Sequence, residues 1–281
     1  MVVSYLGRGI AHELAGEPCQ DAIRWRISEH GALVMALSDG AGRARWAKEA
    51  AQWCTEAVTH FFSGMPLASF AARPEEEGGA LLLDRCRASL QRVREELVEA
   101  DIRHFSATVV FAVADGERLL VGNLGDGMAV VLEDSGKVVL DFRPESGPMG
   151  GNSTWFVTSS GAEQHLRMRL LDRSADRAEF LALTSDGILE MLSGRGDGDP
   201  IQTIRELWSY IRSGDLDGED ALADALNQMA ELTDERMDDW SMLLWWPEGE
   251  IQEESRGPVC RSMLQEEEEK YRIAGNREPE D

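Results

Sequence analysis

Thiol chemistry has little to work with in this chain, whose four cysteines (Cys19, Cys54, Cys86 and Cys260) lie far apart and form no Cys-x-x-Cys pair. That spacing suits neither a zinc knuckle nor a secreted scaffold stapled by disulfides, and reduced thiols in a cytoplasm are the simplest account. The amino terminus, MVVSYLGRGIAHELAGEP, lacks a cationic start followed by a sustained apolar run, and no window approaches the apolar length of a membrane span. A cytoplasmic, unexported protein is expected. Positive charge is also scarce. Lys and Arg total 28 against 52 for Asp and Glu, a formal charge of −24, and a field of that sign repels phosphate backbones and anionic membranes. Nucleic-acid and membrane partners are not expected.

What is present is a core. With 43% apolar residues in 281, the chain can bury one large core or two modest ones. Short extended runs open it: VVSYLGRGIAH, AIRWRISE and ALVMALS, the last stopping at Asp39-Gly40-Ala41-Gly42. From Arg43 the period changes to helical, with Trp46, Ala50, Trp53, Cys54, Ala57, Val58 and Phe61 forming a stripe. After a loop around 66–79, a second stripe runs through Leu82, Cys86, Leu90, Val93 and Leu97. The segment from Ser106 to Phe142 reads as an antiparallel meander with Asp115-Gly116 and Ser135-Gly136 as hairpin turns. TWFVTSS and AEFLALTS read as further strands. Helical stretches follow at ILEMLS, 201–212 and 220–232, and SMLLWWP closes as a strand. Strands grouped with helices in this order predict an α+β fold, a β-sandwich of two mainly antiparallel sheets flanked by pairs of helices. Residues 1–247 form the expected domain. From 248 to 281 the composition turns to Glu, Arg, Gly and Pro, with too little apolar surface to fold alone, and reads as an acidic tail.

The aspartates carry the functional signal. Asp21, Asp39, Asp126, Asp186 and Asp238 each fall at the edge of an expected strand, where a loop exposes a carboxylate. A single Asp-Gly is ordinarily just a turn, as at Asp115-Gly116. Asp39 and Asp186 differ because each follows a strongly apolar run, LVMALS or FLALTS, so its carboxylate emerges where buried strand ends converge. Converging carboxylates without countercharge repel one another unless cations are present. With carboxylates as candidate ligands and no clustered His or Cys, hard cations such as Mg²⁺ or Mn²⁺ fit better than zinc.

The order of motifs resembles the type 2C metal-dependent protein phosphatases, in their compact bacterial branch. The residues carrying the resemblance are Gln20-Asp21, Ser38-Asp39-Gly40-Ala41-Gly42, Ala107-Thr108, Gly122-Asn123-Leu124-Gly125-Asp126, Thr184-Ser185-Asp186-Gly187 and Asp238-Asp239-Trp240-Ser241. The resemblance implies that Asp39 bridges two metals, that the Gly40 carbonyl completes one, and that Asp186 and Asp238 hold the other. It places Asp21 behind metal-bound waters, and Asp126 at a weaker third site with Asp186 and Glu190 as neighbours. It implies hydrolysis of phosphoserine or phosphothreonine on proteins by a water activated between two Mn²⁺ or Mg²⁺ ions, opposite a cognate serine/threonine kinase. Three positions depart from the family pattern: Ala41 replaces a histidine, Gly16 a phosphate-gripping arginine, and Gln20 a glutamate. Arg8 and His12, four apart on an expected opening strand, are candidates to bind the phosphate, with His12 also a candidate proton donor. Two other readings share this fold: a hydrolase of a small phosphoester, and a catalytically silent binding module.

Overall fold

The computed structural model describes residues 1–99, 101–147, 153–193, 198–213, 218–230 and 238–247. The acidic tail expected at 248–281 lies outside the described residues.

Ten strands form two five-stranded antiparallel sheets. The first sheet holds, in spatial order, β1 (Val2–Gly7), β10 (Trp240–Trp245), β9 (Phe180–Thr184), β6 (Met128–Leu132) and β7 (Val138–Phe142). The second holds β2 (Asp21–Ile27), β3 (Leu33–Asp39), β4 (Val109–Ala114), β5 (Arg118–Leu124) and β8 (Arg167–Asp172). Alternation along each strand assigns its two faces. On β3, Met35 and Leu37 enter the layer between the sheets with Val110, Val121, Val131, Leu183 and Leu243. Val34 and Ala36 face outward, under α2 (Ala47–Ser63) and α4 (Glu75–Glu96), where Cys54, Val58, Phe62, Leu82 and Leu90 are buried. The other sheet turns Val130, Ala182 and Met242 outward against α5 (Asp186–Ser193), α6 (Pro200–Ser213) and α7 (Gly218–Ala230). The expected helix–sheet–sheet–helix sandwich is therefore present. Central strands buried on both faces need continuous apolar runs, which is why LVMALS and FLALTS are so strongly apolar.

Several expectations are corrected. The stretch from Ser106 to Phe142 is not one meander: β4 and β5 pair in one sheet and β6 and β7 in the other, and the chain crosses between them at Gly125–Gly127. TWFVTSS forms no strand. Phe156 and Ser159 close a turn in which the Ser159 hydroxyl accepts the Phe156 N–H, and Gly161 follows at φ +82°, so side-chain hydrogen bonding outcompetes a ladder. The missing strand is β8, an edge strand that exposes Arg169, Leu170 and Asp172. The interval 66–79 is not all loop: α3 (Leu67–Ala71) lies within it and α4 begins at Glu75. Trp53 and Leu97, placed on apolar stripes, are 39% exposed. Trp245 and Trp246 face opposite sides and both are buried, since helices cover the outer face as well. The opening strand ends at Gly7. Residues 10–15 form α1 (Ile10–Ala15), a short helix stopped by Gly16 in the left-handed region at φ +69°.

Candidate metal centre

All five aspartates arrive at one edge of the sandwich, each by a different element. Asp39 ends β3, and Asp21, at the start of β2, is its Cα partner across the antiparallel ladder. Asp126 sits where the chain crosses from β5 to β6, Asp186 opens α5 directly after β9, and Asp238 precedes β10.

The remaining motif residues hold these positions. The Asp39 N–H donates to Thr108 Oγ1 at 3.1 Å, Thr108 N–H returns a bond to the Asp39 carbonyl at 2.8 Å, and Ser38 Oγ donates to the Thr108 carbonyl at 2.6 Å. Asn123 Nδ2 donates to the Gly127 carbonyl at 2.8 Å, bracing the loop that carries Asp126. Ser185 and Ser241 join the two strand ends: Ser241 N–H donates to Ser185 Oγ at 2.9 Å, and Ser241 Oγ donates to Asp21 Oδ2 at 2.6 Å. Gly40 must be glycine because a Cβ there would strike the Ala47 carbonyl, and a Cβ at Gly187 would strike that of Asp239.

Carboxylate oxygens of Asp39, Asp126 and Asp186 all lie within 4.8 Å of one another. Asp21 Oδ1 and Asp126 Oδ1 are buried without a hydrogen bond. Burial, then the charge of Asp239, pushes the Asp21 carboxyl up from 3.8 to about 8. Burial and the charges of Asp21, Asp186, Asp126 and Asp238 hold Asp39 well above the usual carboxylate range, and burial also raises Asp126. Without cations the folded site would thus retain protons on groups that are ordinarily ionised. An all-oxygen donor set with orphaned buried oxygens and mutually repelling charges fits hard divalent cations.

Asp239 was missed in the sequence, although its doubling with Asp238 was visible. It is 2% exposed; its Oδ1 accepts the Gly9 N–H at 2.7 Å and its Oδ2 the Gln20 N–H at 2.5 Å. Its carboxylate thereby ties the segment before Asp21 to the start of β10. His12 Nδ1 lies 2.8 Å from Asp239 Oδ2 and 3.6 Å from Asp238 Oδ1, so His12, Asp238 and Asp239 form a second cluster. The Asp239 contact is the main cause raising the His12 pKa above 6.5, with burial opposing it. The strand expected to align Arg8 with His12 is absent: His12 rides on α1, and Arg8, in the turn before it, is 3.5 Å from Glu13. Glu190 lies on α5, but its side chain is outside the described residues.

Solved structures with this fold include the serine/threonine phosphatase Stp1 from Staphylococcus aureus, at 17% identity and TM-score 0.60, over 88% of this chain and 95% of that one. The Mycobacterium tuberculosis serine/threonine phosphatase PstP/Ppp aligns at 16% identity and TM-score 0.58, over 87% and 97%. RsbX in complex with magnesium aligns at 15% identity and TM-score 0.52, over 86% and 92%. No curated protein matches the sequence. The family model for protein phosphatase 2C matches residues 8–227, a span that contains Asp21, Asp39, Asp126 and Asp186, and the chain belongs to that protein phosphatase family.

Proposed function

We propose that this enzyme hydrolyses phosphoserine and phosphothreonine on proteins with two divalent cations, Mn²⁺ or Mg²⁺. The observation that carries this reading is the convergence of Asp39, Asp126 and Asp186 within 4.8 Å beside a buried Asp21. Asp39, the Gly40 carbonyl, Asp186 and Asp238 would hold the two cations, and Asp126 with Glu190 a weaker third. The chemistry such cations would supply there is activation of a water as nucleophile and neutralisation of charge on phosphoryl oxygens. RsbX, of similar fold, is described with magnesium, which supports the choice of a hard cation.

The chain's own residues supply position. Asp21, fixed by Ser241, keeps its other oxygen buried without a hydrogen bond and would orient water beside Asp39. His12 is assigned as proton donor to the leaving serine oxygen. Asp239 lies 2.8 Å from its Nδ1 and Glu17 3.7 Å from its Nε2, and both raise the ring's pKa, which favours the protonated form. Arg8 receives no phosphate role, since Glu13 faces its guanidinium.

Among the described residues no helix is long and apolar enough to cross a membrane. We place the enzyme in the cytoplasm, acting on a phosphoprotein made by a serine/threonine kinase, with residues 1–247 as the catalytic domain and 248–281 as a solvated acidic tail. The test compares a phosphoserine peptide with an aryl phosphate, each with Mn²⁺, Mg²⁺ or chelator. Hydrolysis of the peptide with either metal supports the reading. Hydrolysis of the aryl ester alone points to a small phosphoester as substrate, and hydrolysis of neither, with no metal binding, to a silent module.

A further inference from the structure

The loop leaving Asp39 stays at the site for several residues. Gly40 N–H donates to the Gln20 carbonyl at 3.1 Å, and Ala41 N–H to the Ser106 carbonyl at 2.9 Å. Ala44 N–H then folds back onto the Ala41 carbonyl at 2.7 Å, and Trp46 N–H takes the His104 carbonyl at 3.0 Å before α2 begins. Residues 41–44 are therefore a β-turn whose base is pinned beside the bridging aspartate, with Arg43 exposed at its third position. Ends of such a turn lie within about 7 Å of each other. Arg43 is four residues from Asp39, so their Cα atoms lie at most about 14 Å apart along the chain, and the turn shortens that span.

Three other nearby arginines are already engaged. Arg45 pairs with Glu99 at 3.4 Å and stacks over Trp46 at 5.2 Å. Arg103 binds both oxygens of Asp101, and Arg8 faces Glu13. The Arg43 side chain makes no ion pair or hydrogen bond among the described residues, although the chain carries 52 acidic residues against 28 Lys and Arg. A phosphomonoester brings a charge of about −2 toward a molecule of net charge −24, so its approach needs a cation at the mouth of the site.

We propose that Arg43 is the residue that grips the substrate's phosphoryl group, its planar guanidinium taking two phosphoryl oxygens while the aspartates below hold the cations. The inference rests on the phosphatase reading and adds the determinant of substrate affinity.

The test uses the Mn²⁺-loaded full chain as wild type, Arg43→Ala and Arg43→Lys, with an aryl phosphate, a phosphoserine peptide and inorganic phosphate as inhibitor. Arg43→Ala should raise KM for both substrates, and the inhibition constant of phosphate, about tenfold while kcat changes less than about twofold. Arg43→Lys should fall between, because it keeps the charge and loses the fork. The melting temperature should not move, since the side chain is exposed. Unchanged KM and unchanged phosphate inhibition overturn the inference. So does an effect confined to the peptide, which would put Arg43 on a peptide carboxylate instead. A wild type without Mn²⁺-dependent hydrolysis of either substrate brings down the phosphatase reading, and this inference with it.

Discussion

Asp21→Asn should stabilise the metal-free protein and weaken the metal-loaded one. In the folded chain Asp21 is 4% exposed and its carboxyl is pushed from 3.8 to about 8. A raised carboxyl binds its proton more tightly folded than unfolded, so the metal-free fold loses stability as pH climbs from about 4 to about 8. Each pH unit in that window costs about 1.4 kcal/mol, which sums to about 5 kcal/mol for a rigid site; relaxation around the charge halves it to about 2–3 kcal/mol. Asparagine keeps the shape, still accepts from Ser241 Oγ and never ionises. In chelator at pH 8 the variant should therefore melt roughly 5–10 °C above wild type, with most of that gain gone at pH 5. Adding Mn²⁺ should reverse the order, because cation binding stabilises the wild type more. Thermal melts by circular dichroism across this pH range decide the matter. A chelated variant that melts at or below wild type at pH 8, or whose advantage is equal at pH 5 and pH 8, refutes the reasoning.

Replacing His12 by Gln should slow hydrolysis of an alkyl phosphoserine about 100-fold while an activated aryl phosphate, whose leaving group needs no proton, slows only a few-fold. Steady-state rates on the two substrates check this, and equal small effects remove His12 from proton transfer. Deleting residues 249–281 should leave the melting temperature and aryl-phosphate turnover nearly unchanged, since that segment offers little apolar area to bury. A much lower melting temperature in the truncated chain would show that the segment docks on the domain.

Much of this architecture was legible because its strongest elements carry unmixed signals. LVMALS and FLALTS lie in strands covered on both faces, so they are continuously apolar and end abruptly where the carboxylates emerge. The aspartates were readable as a set, since Asp39, Asp126 and Asp186 each sit beside a glycine and Asp238 beside another acid. Other features gave weaker signals. The six residues of α1 are too few to show a helical period, and an extended reading of Arg8 and His12 was equally compatible with the sequence. Edge strand β8 alternates around arginines and buries only Met168 and Leu171, whereas TWFVTSS has strand-like composition but serines that close a turn. The crossing from β5 to β6 reads locally as one more hairpin, because assignment of strands to sheets depends on long-range pairing. Asp239 is the instructive omission. Beside an exposed acid it looked redundant, yet its carboxylate is buried and satisfied by two backbone amides from the other end of the chain.

The central claim is that the Asp39 cluster holds the cations needed to cleave a phosphoprotein. Turnover of a phosphoserine peptide tests it most directly, measured for wild type with Mn²⁺, for wild type in excess chelator, and for Asp39→Asn with Mn²⁺. The account predicts activity in the first case only, with the other two reduced by several orders of magnitude. Undiminished hydrolysis in chelator, or a fully active Asp39→Asn enzyme, would contradict it.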